Sequence, residues 1–361
     1  MKRNKPPKHR ATSLARENPR VSSVRISRGK LLLLLGSLVF CLAASELTLR
    51  LFFAKTFPPT DDERSLLYEY DETLGWFPAK STSRRFTASR TVTVTHNSRG
   101  FRDPEPELNG NPGIMFLGDS FVWGFDVEAE ERFTDKLQQR HPDWNICNLG
   151  VSGYGTDQQF LLLQAQFEHY KPRVVFVVFC TDNDTDDNSY NLRSGGYYKP
   201  FFTIAGPTSL TLNGVPVPRS ERAILAKHTF LGRFYLTRLL VRAYSKRRAP
   251  PGVQVVTNPT GPILLAMRSY VVRRGGFFAV AMQEGNEDLK NYLRRFQIPW
   301  LALRTTNRYE SFGGHWTPDG HTEVCDQIEG FLAKGFSEGY IKLDTDPAEA
   351  KTTIEPRPTS P

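Results

Sequence analysis

From Gly113 onward the chain alternates short apolar runs with longer amphipathic stretches, and this rhythm constrains the fold more than any other feature. The runs are Ile114 to Leu117, Ile146 to Leu149, Val174 to Phe179, Phe277 to Met282 and Trp300 to Leu303. Between and after them, residues 128–140, 157–169, a stretch near 286–296 and one from about Pro318 to Gly335 read as helices. The sequence Val-Val-Phe-Val-Val-Phe over Val174–Phe179 is β-branched and aromatic throughout, as expected of a central parallel strand buried on both faces. Strands alternating with helices imply an α/β fold, a three-layer α/β/α sandwich around a mostly parallel five-stranded sheet. Residues 111–343 form this domain in our reading. An insertion over 185–260, polar and rich in Tyr and Pro, interrupts it and carries one helix expected at 220–246. Residues 55–110 read as a β-rich lead-in, with the strand-like alternation Thr91-Val92-Thr93-Val94-Thr95. Residues 344–361 read as a disordered polar tail.

The net charge of +9 suggests a nucleic-acid partner until its distribution is read. Residues 1–30 hold ten Lys/Arg and one acid, Glu17, while the remaining chain holds 37 basic and 37 acidic residues. A neutral body lacks the footprint of a nucleic-acid-binding domain, so no nucleic-acid partner is expected. The basic stretch instead precedes an uncharged run from Leu31 to Ser45, which continues as a largely apolar stretch to Ala54. Fifteen helical residues span only about 22 Å, short of a bilayer core of about 30 Å, but continuation to Ala54 gives about 36 Å. Glu46 and Arg50, four residues apart, then partly neutralise each other at the outer interface. A cleaved signal peptide fits the small residues Ala43, Ala44 and Ser45. An uncleaved anchor fits the long basic flank, which stays cytoplasmic under the positive-inside rule. We take 1–30 as a disordered cytoplasmic tail and 31–54 as a transmembrane signal-anchor. The body is then expected on the extracytoplasmic (periplasmic) side of the plasma membrane, crossed once. Cys41, Cys147, Cys180 and Cys325 have no metal-type spacing and read as free thiols, with a Cys147–Cys180 pair as the alternative.

Ligands of open parallel sheets collect beyond the carboxyl ends of the strands. Gly118-Asp119-Ser120 follows the first strand, Asn148 to Gly153 the second, and Thr181-Asp182-Asn183-Asp184 the third. His315-Trp316-Thr317-Pro318-Asp319-Gly320-His321 precedes the last helix. All four groups therefore fall on one sheet edge. A serine hydroxyl needs an adjacent base to become a nucleophile, and a developing oxyanion needs N–H donors aimed at it. Ser120, His315, Gly153 and Asn183 supply one of each part.

At these residues the chain resembles the SGNH/GDSL hydrolases, over roughly residues 97–335. Gly118-Asp119-Ser120 looks like the first conserved block, Gly153 like the second-block glycine, Asn183-Asp184 like the third block and His315 like the fifth-block histidine. The words Asn97 to Arg102 and Gly153 to Gln159 resemble bacterial membrane-anchored members. His315-Trp316 also resembles SGNH-like polysaccharide O-acetyltransferases. The resemblance implies a flavodoxin-like sheet and a serine esterase working through an acyl-enzyme, with no cofactor or metal. It further implies Ser120 as nucleophile, His315 as base, and an oxyanion hole from the Ser120 and Gly153 backbone and the Asn183 side chain, with Asp119 in support. The family places an Asp three residues before the histidine, and the acetyltransferase-like group two before. Here Phe312 and Gly313 stand there, and Thr181 replaces the third-block glycine. Glu310 is the nearest local acid to orient His315; a dyad using a backbone carbonyl is the alternative.

His321 is expected to pack or cap the last helix. The Asp182/Asp184/Asp186/Asp187 cluster lacks the Gly and terminal Glu of a Ca²⁺ loop and reads as a solvated loop. The expected substrate is an O-acylated carbohydrate or another small ester. Transfer of the acyl group to a polysaccharide is a close variant, with Tyr190, Tyr197, Tyr198, Phe201 and Phe202 as a sugar-stacking surface. The rival from another class is a non-catalytic glycan-binding or assembly protein that kept the fold.

Overall fold

A computed structural model describes residues 27–57, 63–106, 113–193, 196–206, 209–226, 229–247, 252–283 and 285–342. The tails expected over 1–30 and 344–361 lie outside these residues, apart from 27–30. The chain divides into two compact units at Phe53/Ala54.

The first unit contains helix α1, Arg28–Phe53, none of whose residues is buried. Its 26 residues make a rod of about 39 Å, long and apolar enough to cross a membrane, a test that a signal sequence also passes. Arg50 Nε donates to Glu46 Oε1 at 2.7 Å, so the two charges within the apolar stretch pair at i,i+4.

The second unit is built on five strands. The chain runs through β1 (Gly113–Gly118), α2 (Ser120–Trp123), α3 (Phe133–Arg140), β2 (Asn145–Asn148), α4 (Thr156–Tyr170) and β3 (Pro172–Phe179). It continues through α5 (Asp184–Asn188), an insertion containing α6 (Thr229–Gly232) and α7 (Tyr235–Arg247), then α8 (Thr260–Val272) and β4 (Phe277–Gln283). It closes with α9 (Glu287–Arg295), β5 (Trp300–Leu303) and α10 (Pro318–Ser337). The sheet order is β5-β4-β3-β1-β2, and every neighbouring pair is parallel. In sequence terms this is the 2-1-3-4-5 order of flavodoxin-like sheets, with its switch point between β1 and β3.

Alternation along the strands divides the core into two layers. Met115, Leu117, Val175, Val177, Val280 and Met282 pack with α4, α8 and α9 on one face. Ile114, Phe116, Val174, Phe176, Ala279 and Ala281 pack with α2, α3 and α10 on the other. Ahead of β1, antiparallel hairpins pair Tyr68–Asp71 with Gly75–Pro78 and Ser83–Thr87 with Thr91–Thr95. Their Trp76, Phe86, Val92 and Val94 join the first of these layers.

The insertion differs from expectation in three ways. The helix expected over 220–246 is divided into Glu221–Ala226, α6 and α7, the last break falling at Arg233-Phe234. Helix α8, unforeseen, carries the β3-to-β4 crossover; Pro262 near its start is tolerated because the first-turn N–H groups lack intrahelical acceptors. Tyr197, Phe201 and Phe202 are buried rather than presented to a ligand: Tyr197 meets Trp76 edge-on and Phe202 packs against Phe160. Of the five rings expected to form a stacking surface, these three are withdrawn, while Tyr190 is exposed and Tyr198 half-buried. All four cysteines are free; Cys147, Cys180 and Cys325 are buried and Cys41 is exposed.

Candidate active site

Ser120 opens α2 directly after β1. The turn from strand to helix is tight: a Cβ on Gly118 would sit 2.3 Å from Val122 Cγ2 and 3.1 Å from the Val178 carbonyl oxygen. Only glycine fits there. Asp119 caps the helix, its Oδ1 accepting from the Phe121 N–H at 3.0 Å. Being first in the helix, the Ser120 N–H has no intrahelical acceptor.

The structure brings His315 to Ser120, with Nε2 2.8 Å from Oγ and both residues buried. Phe125 stacks on the imidazole at a centroid distance of 4.4 Å, and Phe121 lies tilted at 5.0 Å. Burial lowers the His315 pKa to about 4; the Phe312 carbonyl opposes that shift and the Arg308 charge adds to it. The base is therefore neutral, with a free lone pair, at neutral pH. The Phe312 carbonyl faces the ring without the geometry of a full hydrogen bond, and Nδ1 has no hydrogen-bond partner among the described residues.

Glu310 is not brought to that nitrogen. Its residue is exposed, on a loop whose next residues turn away through left-handed backbone: Phe312, Gly313 and Gly314 have φ of +51°, +88° and +64°. The Tyr309 N–H closes this loop on the His315 carbonyl at 2.8 Å. A Cβ on Gly313 would stand 3.2 Å from His315 Cε1, so the turn packs its bare backbone against the ring and no carboxylate stands there.

Asn183 follows β3 and is brought to the serine turn: its Nδ2 donates to Asp119 Oδ2 at 3.3 Å. Asp119 thus holds the start of α2 and Asn183 at once. Burial raises the Asp119 pKa to about 6, against the Phe121 N–H, the Arg193 charge and the Asn183 amide, which favour the anion. Gly153 lies in the loop after β2 with φ +78°. The lead-in hairpin clamps that loop: Tyr68 Oη accepts from the Ser152 N–H, the Trp76 indole donates to the Ser152 carbonyl, and Tyr154 Oη donates to the Trp76 carbonyl. Thr181, in place of a glycine, ties the β3 end to β4 by donating to the Gln283 carbonyl at 2.7 Å.

The acidic stretch expected as a solvated loop is helix α5, with Asp184 and Asp187 buried. Asp184 accepts from the Cys180 N–H at 2.9 Å, and burial followed by the Asp119 charge pushes its pKa well up; Asp187 pairs with Arg193. Short-range order explains the miss: an Asp-rich string signals solvent unless its partner, here Arg193, is known. His321 packs behind the site, its Nδ1 accepting from the Phe133 N–H at 3.3 Å, with its pKa lowered to about 3 by burial.

Two contributors had no local sequence signal. Arg308 lies with its guanidinium 5.5 Å from the Phe121 ring and 3.6 Å from Asp182 Oδ2. Phe125 is two residues beyond α2, and only its place against His315 reveals its part. Beside Asn183 a cleft of about 500 Å³ opens, lined by Thr181, Asp182, Thr185, Asp186, Asn286 and Glu287 among others. Its lining is polar, and Ser120 and His315 are not among the residues that form it.

A family model described as GDSL-like lipase/acylhydrolase matches residues 116–322. Among solved structures, a lipolytic protein of the G-D-S-L family from Veillonella parvula is 12% identical and matches 62% of this chain and 98% of its own, with a TM-score of 0.35. A psychrotrophic esterase from Pseudoalteromonas is 11% identical over 63% of this chain and all of its own, with a TM-score of 0.37. A two-domain esterase active on acetylated mannans is 13% identical over 69% of this chain and 53% of its own, with a TM-score of 0.35. No curated protein matches.

Proposed function

Since the chain belongs to the GDSL-like lipase/acylhydrolase family and is an ester-hydrolysing enzyme, we propose that Ser120 is its nucleophile and His315 its general base. The observation that carries this reading is the 2.8 Å contact between Ser120 Oγ and His315 Nε2. His315 takes the hydroxyl proton as Oγ attacks the ester carbonyl. The resulting oxyanion is held by the Ser120 and Gly153 N–H groups and the Asn183 amide. The tetrahedral intermediate collapses as His315 returns the proton to the leaving alcohol. Water, deprotonated by the same histidine, then releases the acid from the acyl-enzyme. The faces of Phe121 and Phe125 favour the imidazolium formed in each step. A backbone carbonyl, that of Phe312, orients the ring in place of a carboxylate.

The polar cleft that opens next to the Asn183 loop supports a hydrophilic alcohol portion, such as that of an O-acylated carbohydrate. The body works outside the cytoplasm, anchored by α1, a reading supported by the length of that helix and the basic residues before it.

The direct test is labelling of the full chain in detergent with a fluorophosphonate. A covalent adduct on wild type and none on Ser120→Ala is expected; an adduct that persists in Ser120→Ala, or none on wild type, sinks the assignment.

A further inference from the structure

Six exposed large apolar side chains of the body fall within one short stretch of chain. Phe230, Leu231, Phe234, Leu239, Leu240 and Tyr244, all within α6, α7 and the turn between them, are 40–68% exposed. The same region is strongly cationic. Residues 222–249 hold eight Lys/Arg and no Asp or Glu, and Arg233, Lys246 and Arg247 are exposed among the apolar groups. An ordinary solvated helix face mixes acids with bases and shows fewer large apolar groups. Glu221 lies near Arg222, Arg242 and Lys246, yet the bases remain in large excess. Exposed Phe and Leu beside such an excess of positive charge are what an element lying in a bilayer interface requires: apolar groups entering the acyl boundary and bases meeting anionic headgroups.

A second observation concerns place. Arg242 Nη1 donates to the Thr56 carbonyl at 3.0 Å, and Phe57 meets Tyr235 edge-on at 5.5 Å. Thr56 is three residues past Phe53, the end of α1, and three residues of chain reach at most about 11 Å. Covalent connection alone therefore keeps this contact beside the end of the apolar helix, whatever the tilt of the body.

We propose that α6–α7 is an interfacial element that lies on the anionic lipid leaflet from which α1 emerges, docking the catalytic body on the membrane surface. The proposal rests on the anchor reading for its setting. Its test separates the two. In a Cys41→Ser background the remaining native thiols are buried, so Leu240→Cys takes a thiol-reactive fluorophore selectively, with Gly330→Cys, on exposed α10, as control. The full chain is reconstituted into phosphatidylcholine vesicles with or without phosphatidylglycerol, carrying lipids spin-labelled near the headgroup.

The label at 240 is expected to be quenched roughly threefold or more over the control when phosphatidylglycerol is present, and Lys246→Glu/Arg247→Glu removes that excess. Turnover of a soluble ester unchanged in that double variant shows that the fold is intact. Quenching at 240 no greater than at 330, or disulfide pairing of two copies through Leu240→Cys, overturns the proposal while α1 still resists alkaline extraction. If alkaline extraction releases the chain, the anchor reading fails. Sedimentation of the released chain with the same vesicles then decides: phosphatidylglycerol-dependent binding lost in Leu240→Asp upholds the surface, and absence of binding ends it.

Discussion

Removing the Asp119 carboxylate should disable Asn183 as well, because one side chain holds both the start of α2 and the amide. Asp119→Ala removes a helix cap, worth about 1 kcal/mol of stability. It also leaves the Asn183 amide without the acceptor that fixes it. If Asn183 then leaves its place, the loss approaches that of a deleted oxyanion donor, about 2.7–4 kcal/mol of transition-state stabilisation, or roughly 10²–10³ in kcat. Asn183→Ala should show the same loss directly. Because the two residues act through one donor, the double variant should be no more than about threefold worse than Asn183→Ala, where independent losses would multiply to roughly 10⁴ or more. Asp119→Asn keeps an oxygen for the Phe121 N–H but loses the charge that strengthens the bond to Asn183, so it should recover thermal stability more fully than kcat. The assay is kcat on a chromogenic acetate ester, with thermal unfolding of each variant measured alongside. A kcat for Asp119→Ala within about threefold of wild type, or multiplicative loss in the double variant, refutes the coupling.

Glu310→Gln should leave kcat unchanged within about twofold, since this exposed carboxylate makes no bond to His315; a large loss returns it to the catalytic set. The acid limb of kcat/KM should report His315. Its folded pKa is lowered, so the active neutral base persists as pH falls and is lost only near pH 4, not near 6.5. Asp119 is shifted the other way, its ionised form present above about pH 6, and should add a shallower step there that Asp119→Asn abolishes. A single limb at pH 6.5 in both proteins contradicts these assignments. Gly118→Ala should lose at least about 1–3 kcal/mol in denaturant unfolding, because its methyl meets Val122 and backbone at once; an unchanged midpoint shows the turn to be looser than described.

Most of the α/β frame was legible because it rests on local pattern. Val174–Phe179 has no polar face to give it any other place, and the Gly118-Asp119-Ser120 turn carries its steric reason in its own residues. What escaped was set by distant partners. Helix α8 follows a Pro-rich stretch, and its apolar face makes sense only against α4 and β4. Tyr197 and Phe202 looked available for a ligand because their core neighbours, Trp76 and Phe160, are 121 and 42 positions away in the chain. Asp184 and Asp187 looked solvated for the same reason. Among the site residues, Ser120, Asn183 and His315 could be read from their places after strands or before the last helix. The turn at Phe312-Gly313-Gly314 could not, since backbone sign is not written in residue type beyond the two glycines.

That turn bears on how a Ser–His pair works without its usual acid. A carboxylate on Nδ1 does two things: it fixes the tautomer that leaves Nε2 free to accept, and it stabilises the imidazolium. Here the Phe312 carbonyl, which raises the His315 pKa, favours the first by facing the ring as an acceptor. The second is shared between the faces of Phe121 and Phe125, whose quadrupoles attract a cation. Aromatic faces supply less than a buried anion, and the Arg308 charge works against them. The arrangement therefore trades basicity for a site without a further buried carboxylate, where Asp119 and Asp184 already lie close enough to repel each other. A third acid beside His315 would add to that repulsion, and the glycine turn fills its place with backbone.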